Sequence, residues 1–144
     1  MTPFLKWPGG KRWFVANHAG LLPAAFHRYF EPFLGGGSVF FHLEPARAVL
    51  ADTNRELIAA YRAVKRSRKW VEQLLAEHQR RHGEEYFYSV RDSIPADPVE
   101  RAARTIYLNR TCFNGMYRVN LAGDFNVPVG TKTVGRPDKN RSCV

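Results

Sequence analysis

The sequence predicts an α/β fold that opens like a doubly wound, parallel sheet, and three observations carry this prediction. An aromatic-rich segment, 27–34, runs into a triple glycine and is followed by a short helical segment, 38–43. A second apolar segment, 47–51, ends at Asp52, and a helical pattern follows it. Strand, glycine turn, helix, strand, acidic residue and helix is the order in which a doubly wound sheet begins.

Each further element has a local reason. Asn54 can cap a helix over 55–66, because its side chain accepts from the first free backbone N–H groups. From Trp70 onwards apolar residues recur at helical spacing in three stripes, which contain Trp70, Val71, Leu74 and Leu75, then Tyr86, Phe87 and Val90, then Val99, Ala102, Ala103, Ile106 and Tyr107. Segments 117–120 and 125–128 flank a turn with Gly123 and predict a β-hairpin.

Length and charge limit the possible functions. A chain of 144 residues with 44% apolar residues is typical of one globular domain. No apolar run reaches the roughly 20 residues of a membrane span, the N-terminus lacks a secretion signal, and two cysteines favour a reducing, cytoplasmic location. The net charge of +9 favours a polyanionic partner, nucleic acid or an anionic membrane surface. Residues 53–144 hold seventeen basic and ten acidic residues, so most of the excess lies there.

The first motif with chemical meaning is the glycine turn after Phe33, followed by Asp52 at the end of the next predicted strand. Glycines let a ligand approach the main chain closely, and an acidic residue there can accept from both ribose hydroxyls. Together they predict an adenosine site. A glycine-rich turn with Asp52 as a helix cap is an equally weighted alternative on these two features.

The second motif is the N-terminal segment KWPGGK, residues 6–11. Pro-Gly-Gly fixes a loop, and a lysine beside Trp7 can face an anionic group of a small ligand. Considered alone, the segment is better explained as a frayed basic arm.

The third motif is segment 107–120, YLNRTCFNGMYRVN, where Arg, Asn and aromatic residues interleave around a glycine. Arginines such as Arg110 can read guanine, asparagines can pair with adenine or phosphate, and aromatic rings can stack on bases. The alternative is a helix end and hairpin with solvated charges. The density of these groups favours nucleic acid.

Taken in order, KWPGGK, FEPFLGGGSVFF, ADTNRELI, LNRTCFNGMYRVN and GDFNVPVG resemble the Dam-type DNA adenine-N6 methyltransferases from about residue 4 to about residue 134. The resemblance implies a partial Rossmann-like, S-adenosylmethionine-dependent fold with a helical and β-hairpin target-recognition insert. It also implies double-stranded DNA as partner, and the sequence GATC is expected from the resemblance alone. The expected divisions are a cofactor-binding part over 1–66, the recognition insert over 67–130 and an unpatterned basic tail over 131–144.

The resemblance also implies site residues by position. S-adenosylmethionine is expected to contact the N-terminal loop, the FxGxG turn and the acidic strand end, which are Trp7, Lys11, Phe33, Gly35, Gly37 and Asp52. DNA is expected to contact an aromatic residue and an asparagine near the target base, a base-reading arginine and two neighbouring positions, which are Phe113, Asn114, Arg118, Asn120 and Pro128. Arg110 joins this DNA-binding set from the third motif.

The catalytic D/N-P-P-Y/F tetrapeptide of the family does not occur in the 144 residues, so no catalytic residue is predicted. The nearest match, segment 97–100 (DPVE), lacks the second proline and the aromatic residue. We therefore expect a truncated methyltransferase whose partner is the missing C-terminal half. A non-catalytic DNA-binding remnant and a generic nucleotide-binding protein are the alternatives. His78 and His82 share a helix face but lack a third ligand, so no metal site is predicted.

Overall fold

A computed structural model describes residues 2–131 of the chain. Its elements are α1 (Arg12–His18), β1 (Tyr29–Glu31), α2 (Ser38–Leu43), β2 (Ala48–Leu50), α3 (Arg55–Arg80), α4 (Glu84–Asp92) and α5 (Pro98–Thr111), with 3₁₀ turns at Ala19–Leu21 and Phe113–Gly115. This mixture of helices with a small sheet confirms the α/β class. The predicted basic tail lies outside the described residues except for Thr131.

The two strands form a parallel pair in which Tyr29 faces Ala48 and Glu31 faces Leu50. A parallel pair linked through α2 confirms the predicted strand–helix–strand unit. Both strands are shorter than expected, since the first was predicted over 27–34. β1 ends early because the next donor to β2 is the Leu34 N–H of the glycine turn, which bonds to the Ala51 carbonyl out of strand register.

Side-chain caps fix the starts of the two longest helices. Asn54 Oδ1 accepts from the Leu57 N–H at 2.9 Å, which confirms the predicted cap of α3. The helical backbone breaks at Ser67, where φ is −137° and ψ is 42°, one residue after the predicted end of this helix. Asp97 accepts from two N–H groups at the start of α5, so segment 97–100 is a helix start and not a strand end.

The N-terminal segment is packed, so its interpretation as a frayed arm is wrong. Leu5 is fully buried, and the rings of Phe4 and Tyr61 have centroids 4.8 Å apart. Helix α1 follows this segment and was not predicted. Its apolar residues, 13–16, are consecutive and not spaced three or four apart, so α1 lacks the apolar stripe from which a helix is recognised in a sequence.

Buried apolar residues form two clusters. The first joins the N-terminal segment, α2, α3 and α5 and contains Phe4, Leu5, Phe41, Leu57, Ala60, Ala63, Val71, Ala102 and Ile106. The second joins α4, the end of α5 and the following segment and contains Phe87, Val90, Tyr107, Leu108, Cys112, Phe125 and Val127. The first cluster therefore draws on residues from both sides of the predicted boundary at Arg66. Within residues 2–131, no helix is long and apolar enough to cross a membrane.

The predicted hairpin exists only as a chain reversal. One antiparallel bridge pairs Val119 with Phe125, and neither flanking segment forms a strand. The turn is closed by Asn120, whose backbone N–H donates to the Asp124 carbonyl at 2.9 Å. The prediction of two four-residue strands was wrong, because Pro128 cannot donate and the local side-chain bonds of this turn replace ladder bonds.

Candidate cofactor site and nucleic-acid interface

The glycine turn lies where β1 ends. The Leu34 N–H donates to the Ala51 carbonyl at 2.9 Å, which holds the turn beside the end of β2. Gly35 and Gly37 have φ of +52° and +68°, in the left-handed region. A Cβ atom at Gly37 would lie 2.7 Å from the Tyr61 hydroxyl oxygen. The turn therefore needs glycine at this position for its backbone conformation and for space.

Asp52 joins this turn to the start of α3. Its Oδ2 accepts from the Gly35 N–H at 2.9 Å, and its Oδ1 accepts from the Asn54 N–H at 3.0 Å. Because Asn54 is the cap of α3, the interpretation of Asp52 as the helix cap is wrong. A carboxylate has about four lone-pair sites, so about two remain on Asp52 for ligand hydroxyls.

Lys11 is held by the end of β1. Its Nζ donates to Glu31 Oε1 at 2.8 Å and to the Phe33 carbonyl at 2.6 Å. Glu31 is buried and also accepts from the Tyr29 hydroxyl at 2.8 Å. Burial, and then this contact with Glu31, raise the pKa of Tyr29. In this structure the lysine therefore neutralises a buried carboxylate and fixes the carbonyl just before the glycine turn.

The other predicted cofactor residues surround the turn. The indole of Trp7 covers Gly35, where a Cβ atom would lie 3.1 Å from Trp7 Cδ1. The side chain of Phe33 is 73% exposed at the end of β1. A cavity of about 210 Å³ adjoins the turn, and it is lined by Leu5, Lys6, Trp7, Gly10, Arg12, Gly36 and Ser38. The structure thus brings all six predicted cofactor residues to one edge of the sheet.

The predicted DNA-binding residues begin at the end of α5. Arg110, Phe113 and Asn114 are exposed, and Phe113 and Asn114 lie in the 3₁₀ turn that follows the helix. Asn114 has φ of 54°, a left-handed conformation in a residue other than glycine. The Phe113 N–H donates to the Pro128 carbonyl at 2.9 Å, so these two predicted positions are neighbours.

Arg118 and Asn120 lie on the chain reversal. Arg118 Nε donates to Asn126 Oδ1 at 2.9 Å, and the arginine side chain is exposed. Asn120 Oδ1 accepts from the Asp124 N–H at 2.9 Å, and its Nδ2 donates to Asp124 Oδ2 at 3.1 Å. The Asn120 side chain therefore supports the turn, whereas Arg118 presents a cation at the surface.

Asn109 is a residue that the sequence interpretation missed. It is 1% exposed and lies on the inner face of α5. Its Oδ1 accepts from the Lys6 N–H at 2.9 Å, while its Nδ2 donates to the Lys6 carbonyl at 2.8 Å and to the Gly115 carbonyl at 3.3 Å. Its position directly after the apolar stripe of α5 was the available sequence signal. A side-chain amide buried with that stripe requires hydrogen-bond partners, which predicts a structural role.

The histidines of the helical segment are paired with tyrosines. His78 Nδ1 lies 2.8 Å from the Tyr86 hydroxyl, and His82 Nδ1 lies 2.9 Å from the Tyr107 hydroxyl. Burial, and then the charge of Arg81, lower the pKa of His78. Over the part of the chain that the structure describes, no three His, Cys, Asp or Glu side chains group into a metal site.

A parallel strand pair with a glycine turn and an acidic residue at its carboxyl edge is consistent with an α/β methyltransferase. The chain belongs to the family of D12 class N6 adenine-specific DNA methyltransferases, whose model matches residues 7–141. This result confirms the resemblance to adenine-N6 methyltransferases.

Three relatives show the extent of the similarity. The type II methyltransferase M1.LlaDCHI of Lactococcus lactis subsp. cremoris is 44% identical over 136 residues, which cover 90% of this chain and 48% of the relative. The DNA adenine methylase of Serratia marcescens is 41% identical over 133 residues, covering 88% and 48%. The DNA adenine methylase of Escherichia coli K12 is 39% identical over 133 residues, covering 88% and 47%. The chain therefore spans about half the length of the curated relatives that it matches.

Proposed function

We propose that this chain binds S-adenosylmethionine at the carboxyl edge of its sheet and presents a surface that recognises double-stranded DNA for adenine-N6 methylation. The observation that carries the proposal is Asp52, a carboxylate bonded to the amide of the glycine turn with lone-pair sites left to accept from a ligand. Ribose hydroxyls are donors that match these sites.

The residues around Asp52 favour one orientation of the bound cofactor. The exposed ring of Phe33 offers an apolar face to the adenine base. The cavity of about 210 Å³ is smaller than the roughly 300–1,000 Å³ of a pocket for a whole ligand. It suits the amino-acid end of the cofactor, because Lys6 and Arg12 in its lining attract a carboxylate. S-adenosylmethionine supplies the methyl group when bound, and these residues bind and orient it.

The proposed DNA surface consists of the 3₁₀ turn and the chain reversal. Phe113 is 47% exposed and is available to stack on or wedge between bases. Arg110 and Arg118 are exposed cations, and a guanidinium can pair with the edge of guanine by two hydrogen bonds. Asn114 follows Phe113 in the chain, Pro128 is hydrogen-bonded to the Phe113 N–H, and both residues are exposed. The net charge of +9 supports binding to the phosphate backbone.

Methyl transfer itself is proposed for a protein of the length of the relatives. The partner of this segment is then the polypeptide, joined to it or separate, that carries a D/N-P-P-Y/F element to hold the target amine. DNA binding without methyl transfer is the second candidate function, and the lack of that tetrapeptide among the 144 residues favours it. Incubation with GATC duplex and tritiated S-adenosylmethionine separates the two. Labelled DNA supports methyl transfer by this chain, and salt-sensitive binding without label supports the second candidate.

The cofactor proposal is tested by isothermal titration of S-adenosylmethionine into the chain and into Asp52→Ala. We expect binding by the wild type and loss of at least tenfold in affinity in the variant, because a charge-assisted hydrogen bond contributes about 1.5–3 kcal/mol. Asp92→Ala is the matched control, since Asp92 is an exposed residue at the end of α4. Equal affinity of Asp52→Ala and wild type would show that the site is elsewhere.

The DNA proposal is tested by fluorescence anisotropy with a labelled GATC duplex. Arg118→Ala should weaken binding and reduce the preference for GATC over a scrambled duplex. Arg28→Ala removes the same charge at an exposed position before β1 and should leave that preference intact. An unchanged preference in Arg118→Ala would remove the assigned role of this arginine.

A further inference from the structure

The side chain of Asn109 pairs with the backbone as a peptide group would. Its oxygen accepts from the Lys6 N–H at 2.9 Å and its nitrogen donates to the Lys6 carbonyl at 2.8 Å. These bonds join residues 103 positions apart in the sequence. The amide is fully buried, so each bond replaces one that water would otherwise supply.

The same amide also holds the recognition side. Asn109 Nδ2 donates to the Gly115 carbonyl at 3.3 Å, and Gly115 immediately follows Phe113 and Asn114. Gly115 has φ of +64°, and a Cβ atom there would overlap the Lys6 side chain. The N-terminal segment therefore packs in direct contact with the 3₁₀ turn that carries the exposed residues of the proposed DNA surface.

A ring stack forms a second link between the two parts. Lys6 precedes Trp7, whose indole covers Gly35 of the glycine turn. The indole also stacks on Tyr117, with ring centroids 4.7 Å apart and an interplanar angle of 26°. Trp7 therefore contacts the cofactor turn and the recognition segment at the same time.

We infer that Asn109 is a positioning residue that, together with the Trp7–Tyr117 stack, couples the cofactor site to the DNA-recognition segment. It fixes Lys6 and Gly115 to one buried amide, so that a shift of the N-terminal loop on cofactor binding moves the 3₁₀ turn with it. The inference rests on the proposed function, because it requires both ligands to bind. Coupling of this kind is reciprocal: each ligand changes the affinity of the other by the same factor.

The test measures that factor directly. Affinity for a fluorescein-labelled GATC duplex is determined with and without saturating S-adenosylhomocysteine, which has no methyl group to transfer. We expect the wild type to bind DNA at least about fivefold more tightly with the cofactor product present, the lower end of typical coupling. In Asn109→Asp the factor should fall below about twofold, because the carboxylate keeps the bond to the Lys6 N–H but faces two carbonyl oxygens without a donor.

Three further variants separate coupling from folding. Asn17→Asp makes the same substitution at an exposed position of α1 and should retain the wild-type factor. If Asn109→Asp fails to fold, Tyr117→Leu removes the stack on Trp7 and should lower the factor, whereas Tyr117→Phe keeps the ring and the factor.

The outcomes distinguish this inference from the proposed function. A folded Asn109→Asp, or a folded Tyr117→Leu, with the wild-type coupling factor overturns it. A wild type that binds both ligands independently also overturns it and leaves the proposed function standing. A wild type that binds neither ligand refutes the proposed function itself.

Discussion

Replacing Gly37 by alanine tests whether the glycine turn is built as the structure describes. The substitution forces an L-residue into φ of +68° and brings Cβ to 2.7 Å from the Tyr61 hydroxyl and 3.2 Å from Phe41 Cε2. Gly9 has the same φ of +68° but nothing within 4 Å of its Cβ position. The pair Gly37→Ala and Gly9→Ala therefore separates the clash from the backbone strain.

The magnitudes follow from these two terms. A left-handed backbone conformation is unfavourable for an L-residue by roughly 1–2 kcal/mol. The free energy of unfolding of Gly9→Ala should therefore be lower than that of the wild type by that amount. Overpacking in a dense region adds typically 1–3 kcal/mol, so Gly37→Ala should lose about 2–5 kcal/mol in all. The clash alone corresponds to roughly 2–12 °C in Tm for a chain of this size. Urea unfolding followed by circular dichroism measures both variants.

A rescue variant makes the test specific. The Tyr61 hydroxyl is buried and has no hydrogen-bond partner among residues 2–131. Its removal in Tyr61→Phe should be neutral or slightly stabilising, since an unpaired buried polar group is unfavourable by about 1–3 kcal/mol. Gly37→Ala/Tyr61→Phe should then recover much of the clash energy. A Gly37→Ala variant no less stable than Gly9→Ala, or a double variant no more stable than Gly37→Ala, would contradict the clash with Tyr61.

Three further predictions concern buried or half-buried polar groups. Burial lowers the pKa of His78, so the unfolded chain binds more protons, and the free energy of unfolding should decline as the pH falls below about 6.5. In urea unfolding at several pH values, His78→Gln should flatten this decline. His27→Gln, at an exposed position, should not. Burial raises the pKa of the Cys112 thiol to about 11. In Cys143→Ser, where Cys112 is the remaining thiol, reaction with Ellman's reagent should therefore be only as fast as the chain opens. Immediate reaction would contradict the burial of Cys112. Arg104 is buried and donates to the last carbonyls of α4, so Arg104→Met should destabilise the chain by about 1–3 kcal/mol in urea unfolding, and a stability equal to wild type would contradict this role.

The sequence allowed the parallel unit to be predicted because its signals are local. Asn54 before an apolar stripe marks the start of α3, and consecutive glycines after an aromatic strand mark the turn. Asp52 could be placed at the end of β2 for the same reason. The lengths of the strands could not be predicted, because β1 ends after three residues, where the Leu34 N–H of the turn bonds to the Ala51 carbonyl.

The long-range contacts escaped prediction for a different reason. Nothing local to KWPGGK shows that Leu5 is buried or that Lys6 pairs with Asn109, 103 positions away. The ion pair between Lys11 and Glu31 could not be predicted either, because nothing in the sequence distinguishes Glu31 from other strand residues and only the fold brings the two together. The candidate cofactor residues could therefore be predicted from motifs, whereas the contacts that connect them to the predicted recognition segment required the structure.

The proposed function requires S-adenosylmethionine to bind at the glycine turn and Asp52. Titration of the cofactor into ¹⁵N-labelled chain, followed by heteronuclear NMR, tests it at the level of single amides. We expect the largest shifts at the Gly35 and Asn54 N–H groups, because both donate to the carboxylate that the ribose would share. These shifts should be absent in Asp52→Ala. Saturable shifts confined to other parts of the chain, or no shifts at all from a folded chain, would contradict it.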